Sequence, residues 1–246
     1  GSLTLNFGRS PSFDAVAESR QLDLDRDFGG GPDKPIEVAG AANTLVGWLA
    51  GLPVPPIPGR VAFSVPGIVV GGSVIQDVAL NAEPAAGGWR IEGLRAHLPG
   101  QATLSADGLL TTGKQTGFAG TARLAALQPS TFAAWWRGRA QQVAGRQLSA
   151  FDIAGKAVIG TGRFSLDNIQ ARIGDATISG RIAWSENARD HHRDVGTDLK
   201  ADRIDFLQVK ALADLLVGRN LNEITSLADS FSILIKTDLF QLDDIR

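Results

Sequence analysis

Few side chains in this sequence have the types and spacing that do chemistry. Asp190-His191-His192-Arg193-Asp194 sets two imidazoles among carboxylates, the donors that hold a divalent metal. Neighbouring side chains on an extended segment point to opposite faces, and the surrounding run 185–194 is polar, so the stretch reads as a solvated loop. Leu22-Asp23-Leu24-Asp25 and Asp243-Asp244 supply the paired acids that glycosidases use, yet alternating Asp on a half-buried strand is its wet face. Gly29-Gly30-Gly31 lacks the following G-x-x-x-x-G-K-[ST] of a phosphate loop and reads as a turn into Pro32 and Pro35. Phe132, Trp135, Trp136, Arg137 and Arg139 are different, because aromatic and basic residues on one amphipathic segment suit a membrane surface. The preferred reading is that these aromatics cover the open edge or mouth of a sheet. No catalytic residue, metal or cofactor is expected.

Composition narrows the classes further. The 246 residues carry 24 Lys+Arg against 26 Asp+Glu, a net charge of -2, without the basic excess of a nucleic-acid binder. Hydrophobic residues at 43% and charged residues at 20% provide for a sizeable core and argue against disorder. The lack of Cys excludes disulfide scaffolds, thiol catalysis and Cys-based metal sites. Gly1-Ser2 reads as a scar on an excised piece, from which a targeting segment or anchor could have been cut. No apolar run approaches the roughly 20 residues that span a bilayer.

Whatever this chain does must therefore be done by its elements, and the dominant signal is period-two alternation. Val61, Phe63 and Val65 share one parity before Pro66-Gly67, which reads as the end of a strand. Val74, Val78 and Leu80 follow, up to Gly87-Gly88. The parity shifts between Trp89, Ile91 and Leu94, Ala96, Leu98, which a bulge or turn at Gly93 would repair. Leu104, Phe118 and Leu124 continue the pattern around a turn read at Asp107-Gly108. Phe164, Ile169, Ile178 and Ile182 resume it around turns read at Asp167-Asn168 and Gly174-Asp175. Such spacing describes an antiparallel meander with strands of about six to nine residues, about 20 to 30 Å long. Three segments have helical spacing instead: 36–50, 129–144 and 206–217.

Two internal repeats accompany the strands. Leu94-Arg95-Ala96-His97-Leu98 and its return strand align with Ile169 to Ile178, and the nine residues from Ala17 align with those from Leu199. On these stretches, GGSVIQDVALNAEPAAGGWRIEGLRAHLPGQATLSADG, GFAGTARLAALQPSTFAAWW, ARIGDATISGRIAW and LKADRIDFLQVKALADLL, the sequence resembles the AsmA-like family of Gram-negative envelope proteins, related to TamB-like and other bridge-type lipid-transfer proteins. The resemblance implies a curved antiparallel sheet with an apolar inner face, standing in the periplasm and tied to the inner membrane by a helix outside this sequence. It also implies a phospholipid or other acyl-chain cargo, support of outer-membrane assembly, and no enzymatic activity.

The expectation is a mainly β chain, a groove-like or taco-like meander with two or three short amphipathic helices. Residues 1–59 would form the N-terminal strands and helix of a groove segment, continuous with a repeated meander and inserted helices in 60–246. Its apolar face must be covered by something. Phe63, Val65, Val78, Leu80, Leu98, Leu104, Phe118, Leu124, Phe164, Ile169, Ile178 and Ile182 are the candidates for lining it, as a lipid groove or as packed core. A closed module that pairs partners, including envelope proteins, through its sheet edges is the alternative, and a carbohydrate-active β-sandwich is a weaker one.

Overall fold

Strands with one apolar and one polar face build a sheet whose two sides differ, and the chain forms one such sheet. The computed structural model describes residues 1–29, 31, 33–39, 51–137, 148–205, 208 and 229–241. Its strands are β1 (Ser2–Asn6), β2 (Ser12–Glu18), β3 (Leu22–Asp23), β4 (Gly59–Val70), β5 (Ser73–Ala85), β6 (Gly88–Leu98) and β7 (Ala102–Thr111). They continue as β8 (Gly117–Ala126), β9 (Phe151–Gly160), β10 (Arg163–Ile173), β11 (Ala176–Glu186), β12 (Arg193–Asp205) and β13 (Ser230–Gln241). Two α-helices are described, α1 (Leu24–Phe28) and α2 (Pro129–Arg137). The 13 strands among the described residues join one open sheet in the order β1-β2-β4-β5-β6-β7-β8-β9-β10-β11-β12-β13, with β3 beside β4.

From β4 to β12 the sheet is the expected antiparallel meander. Its strands are 10 to 13 residues long, longer than the sequence suggested. At a rise of about 3.3 Å per residue they span about 33 to 43 Å. The difference comes from glycine and Asx pairs read as turns. Asp107-Gly108 lies inside β7, Pro66-Gly67 inside β4, and Asp167-Asn168 is a β-bulge inside β10, where Asn168 takes φ 52°. The bulge expected at Gly93 is present: Asn81 pairs Gly93 and Ala82 pairs Ile91, so the apolar parity is restored across the skip.

At both ends the sheet departs from a pure meander. β2 and β3 run parallel to β4, and β12 runs parallel to β13. Parallel neighbours need a crossover of a dozen or more residues, which the chain supplies between β3 and β4 and between β12 and β13. The two crossovers repeat one design. β2 and β3 keep a single register on β4 from Phe13↔Gly59 to Asp23↔Val69, so together they act as one strand, as β12 does on β13. Asp23 Oδ1 accepts from the Arg26 amide at 3.0 Å, and Asp205 Oδ1 accepts from the Gln208 amide at 3.1 Å, the same cap at the same place. The repeat read from Ala17 and Leu199 is thus a strand, an aspartate cap and a crossover to a parallel strand.

Of the expected helices, 129–144 is helical over Pro129–Arg137, and its remainder, including Arg139, lies outside the described residues. Helix 36–50 shows helical backbone at 38–39 and helix 206–217 at Gln208; the rest of both lies outside the described residues. α1 was not anticipated, because Leu24 to Phe28 looked like continued alternation. Asp23 caps it and Asp25 anchors it: the Asp25 carboxylate is 2% exposed and accepts from the amides of Ile36 at 2.8 Å, Gly71 at 2.9 Å and Gly72 at 2.8 Å. Gly71 and Gly72 have φ 64° and 70°, the left-handed turn that lets both amides point at one carboxylate.

Candidate functional site

Directly opposed residues in a ladder share a face, so the pairing register decides where each apolar side chain stands. Phe63 faces Leu80 and Val65 faces Val78 across β4 and β5. Leu80 faces Leu94, Leu94 faces Ala106, and Ala106 faces Ala122, which carries the same face to β8. One step along, Leu104 faces Leu124, Leu124 faces Ile153, Ile153 faces Ala171, Ala171 faces Ile178 and Ile178 faces Ala201. Leu98 faces Ala102, Phe118 and Phe164 both face Ile159, Ile169 faces Gly180, and Ile182 faces Leu166 and Thr197. All the lining candidates named from sequence therefore stand on one face of one sheet.

One end of that face is covered by α2. Phe132 at 3% exposure, Ala133 at 2% and Trp135 at 6% pack with Ala102, Ala126 and Phe151. The Trp135 indole donates to the Val70 carbonyl at 2.9 Å, while the Phe132 ring sits edge-on to Phe151 at 6.4 Å. Val70 belongs to β4 and Phe151 to β9, five strand spacings apart, about 24 Å in a flat sheet. Two residues one helical turn apart touch both strands, so the sheet curls around α2 at this end. Gly100, with φ 81°, lies close beneath the helix start: a Cβ there would stand 2.5 Å from the Gln128 carbonyl oxygen. Trp136 is partly buried in the same cluster, its ring stacked on Phe132 at 6.4 Å, and Arg137 is half-buried at the helix end. The aromatic pair thus packs over an end of the apolar face.

The opposite end of the strands is more open. Phe151 at the start of β9 is 3% exposed, whereas Ile159 near its end is 47% exposed and its neighbour Phe164 is 37% exposed. Between the ends, Val65 at 0%, Ile169 at 4% and Ile178 at 9% are buried, and Phe63, Val78, Leu80, Leu98, Leu104, Phe118, Leu124 and Ile182 are half-buried. The candidates thus divide into packed core and partly exposed surface. Two polar atoms on the apolar face, Trp89 Nε1 and Thr197 Oγ1, are buried and have no hydrogen-bond partner among the described residues. Their signal in sequence was weak, since each sits in an alternating strand like any other inward residue.

The other face is polar and ion-paired. Arg123 Nε donates to Asp152 Oδ1 at 2.8 Å, and Arg181 Nε reaches Asp167 Oδ1 at 2.6 Å. The hydrogen bond from Arg123 holds the Asp152 carboxyl below its usual range, and the same contact raises the guanidinium. Asp202 is lowered by the Thr177 amide donating to it, and Asp229 by the Arg193 amide. In the 187–192 loop, His191 Nδ1 is 2.8 Å from Glu186 Oε1, and His192 lies 3.4 Å from Asp194 and 4.0 Å from Asp229. Among the described residues no group of His, Asp and Glu is arranged to hold a metal ion. Asp23 and Asp25, read from sequence as a wet strand face, are instead a helix cap and a buried anchor.

Compared with known proteins, the chain matches no family model, no curated protein and no solved structure. No helix among the described residues is long and apolar enough to cross a membrane.

Proposed function

We propose that this chain is a non-enzymatic segment of an AsmA-like envelope protein that holds or conducts phospholipid, or another acyl-chain lipid, along the apolar face of its sheet. The observation that carries the reading is the continuous apolar face of an unclosed sheet, covered by α2 at one end and exposed at Ile159 and Phe164 at the other. Burying a methylene is worth about 0.8 kcal/mol, so a 16-carbon tail laid there would gain on the order of 10 kcal/mol before ordering costs. That magnitude favours carriage without a dedicated headgroup pocket. In this reading the full protein works in the periplasm, attached to the inner membrane, in support of outer-membrane assembly.

Titration with a fluorescent fatty acid tests it. Ile159→Asp and Phe164→Asp each place a charge on the exposed end, where folding tolerates it, and should weaken binding at least about tenfold, which is 1.4 kcal/mol. Circular dichroism should remain that of the parent chain. Binding that is unchanged in both variants, or absent in the parent, overturns the proposal.

A second reading, a module that pairs with partners through its sheet edges, is favoured by one observation. The terminal strand β13 exposes Ile233 at 63%, Leu234 at 47% and Ile235 at 47%.

A further inference from the structure

The exposed end of the apolar face has a rim, and the rim carries charge. There β8 and β9 run side by side, with the turn 112–116 leading into β8 and Thr161-Gly162 joining β9 to β10. Those two turns stand two strand spacings apart, about 10 Å. Between them lies a cleft of about 330 Å³, bordered by Lys114, Thr116, Phe118, Ile159, Thr161 and Arg163. Gly117 and Gly160 are directly opposed across β8 and β9, so no side chain rises from its floor.

The charge of the cleft is of one sign. Among the described residues its ionisable side chains are Lys114 and Arg163, and no acid borders it. Other clefts on the described residues differ: Arg123 and Lys156 share theirs with Asp107, Arg123 and Arg172 with Asp152, and His192 and Arg193 with Asp229. Neither Lys114 nor Arg163 has an ion-pair partner among the described residues. Thr116 Oγ1 donates to the Gly113 carbonyl at 2.7 Å, which closes the turn that carries Lys114. The Arg163 side chain lies back over β9, since a Cβ on Gly160 would stand 3.2 Å from its Nε. Glycine at 160 therefore leaves room for the arginine over the cleft floor.

The same cleft touches hydrocarbon. Phe118 and Ile159, opposed across β8 and β9, belong to the apolar face, and Phe164 stands opposite Ile159 on β10. A molecule with an anionic group in the cleft can lay acyl chains directly on that row. We propose that Lys114 and Arg163 bind the phosphate of a glycerophospholipid whose acyl chains lie on Ile159 and Phe164. Guanidinium and ammonium groups make charge-assisted hydrogen bonds to phosphate oxygens. The inference rests on the lipid reading above and adds a choice of cargo to it: acyl chains alone sustain carriage, and the rim cations favour lipids that carry phosphate.

Titrations of the whole chain with phosphatidic acid and with diacylglycerol bearing the same fluorescent acyl chain test it. The parent should bind phosphatidic acid at least about tenfold more tightly. Lys114→Gln combined with Arg163→Gln should abolish that preference and leave diacylglycerol binding as in the parent. Both side chains are exposed, so folding is untouched. Lys156→Gln combined with Lys200→Gln removes the same charge from exposed positions outside the cleft and should keep the preference. Inorganic phosphate, the anion without the chains, should compete only weakly. A parent without the preference, loss of both rim cations that leaves it intact, or loss of Lys156 and Lys200 that removes it would each overturn the inference while the lipid reading stands. Inorganic phosphate binding as tightly as phosphatidic acid would also overturn it, marking a site for the free anion. A parent that takes up neither lipid would overturn the lipid reading and this inference with it.

Discussion

Asp25 joins three parts of the chain with one carboxylate: its own helix, the segment at Ile36 and the β4–β5 turn. Replacing it with alanine removes the shared acceptor of three part-buried amides, and a hydrogen bond to a charged group is worth about 1 kcal/mol or more, so Asp25→Ala should lower stability by about 2 to 3 kcal/mol in chemical denaturation. Asn, which keeps one acceptor oxygen, should lose less. Asp152 and Asp202 on the polar face, and Asp229 just before β13, all have carboxyls lowered by hydrogen bonds made in the folded state. A lowered folded value means their contribution is complete above the unfolded value of about 3.9 and disappears as pH falls through the folded one. Stability should thus hold from neutral pH to about pH 4 and fall below it, and Asp152→Asn should flatten that fall in a pH series of melts. At this scale the sequence was legible for polarity and little else. Leu22-Asp23-Leu24-Asp25 has the spacing of a strand, and only the tertiary partners of Asp25 reveal an anchor.

Among the elements, α2 has the most consequence, since it covers one end of the apolar face and bridges β4 to β9. Trp135→Ala should cost about 3 to 5 kcal/mol through the cavity it leaves. Trp135→Phe, which keeps most of the apolar contact and loses the bond to the Val70 carbonyl, should cost about 1 kcal/mol. Denaturant midpoints distinguish the two, and faster amide exchange around Val70 and Gly71 would locate the loss. The helix start at Pro129 and the bulge at Gly93 were legible because each resolves a conflict within a few residues: a change of period in one, a change of parity in the other. Pro66-Gly67 and Asp107-Gly108 misled because ladder partners keep the strand going through residues that, taken locally, favour turns. The parallel pairs β2–β4 and β12–β13 were written less plainly. Helical spacing between two strands is compatible with a crossover, but which strands it joins is decided across the sheet.

For the whole molecule, the question is what lies against a face that runs from β4 to β12 without interruption. Period-two alternation foretold the face itself, because cross-strand register follows from which parity must be buried. How much of it the protein covers was not foretold, since α2 reaches its place through a fold-back that no local pattern encodes. Val65, Ile169 and Ile178 are core, and a charge at any of them should unfold the chain rather than merely reduce binding. Ile159 and Phe164 are where the face meets solvent. The most direct measurement is mass spectrometry of the organic extract of the chain purified without detergent from a Gram-negative host. The lipid-carrying account predicts phospholipid in stoichiometric amount, and less of it from Phe164→Asp. A parent chain that yields no lipid, and takes none up from vesicles, would contradict it.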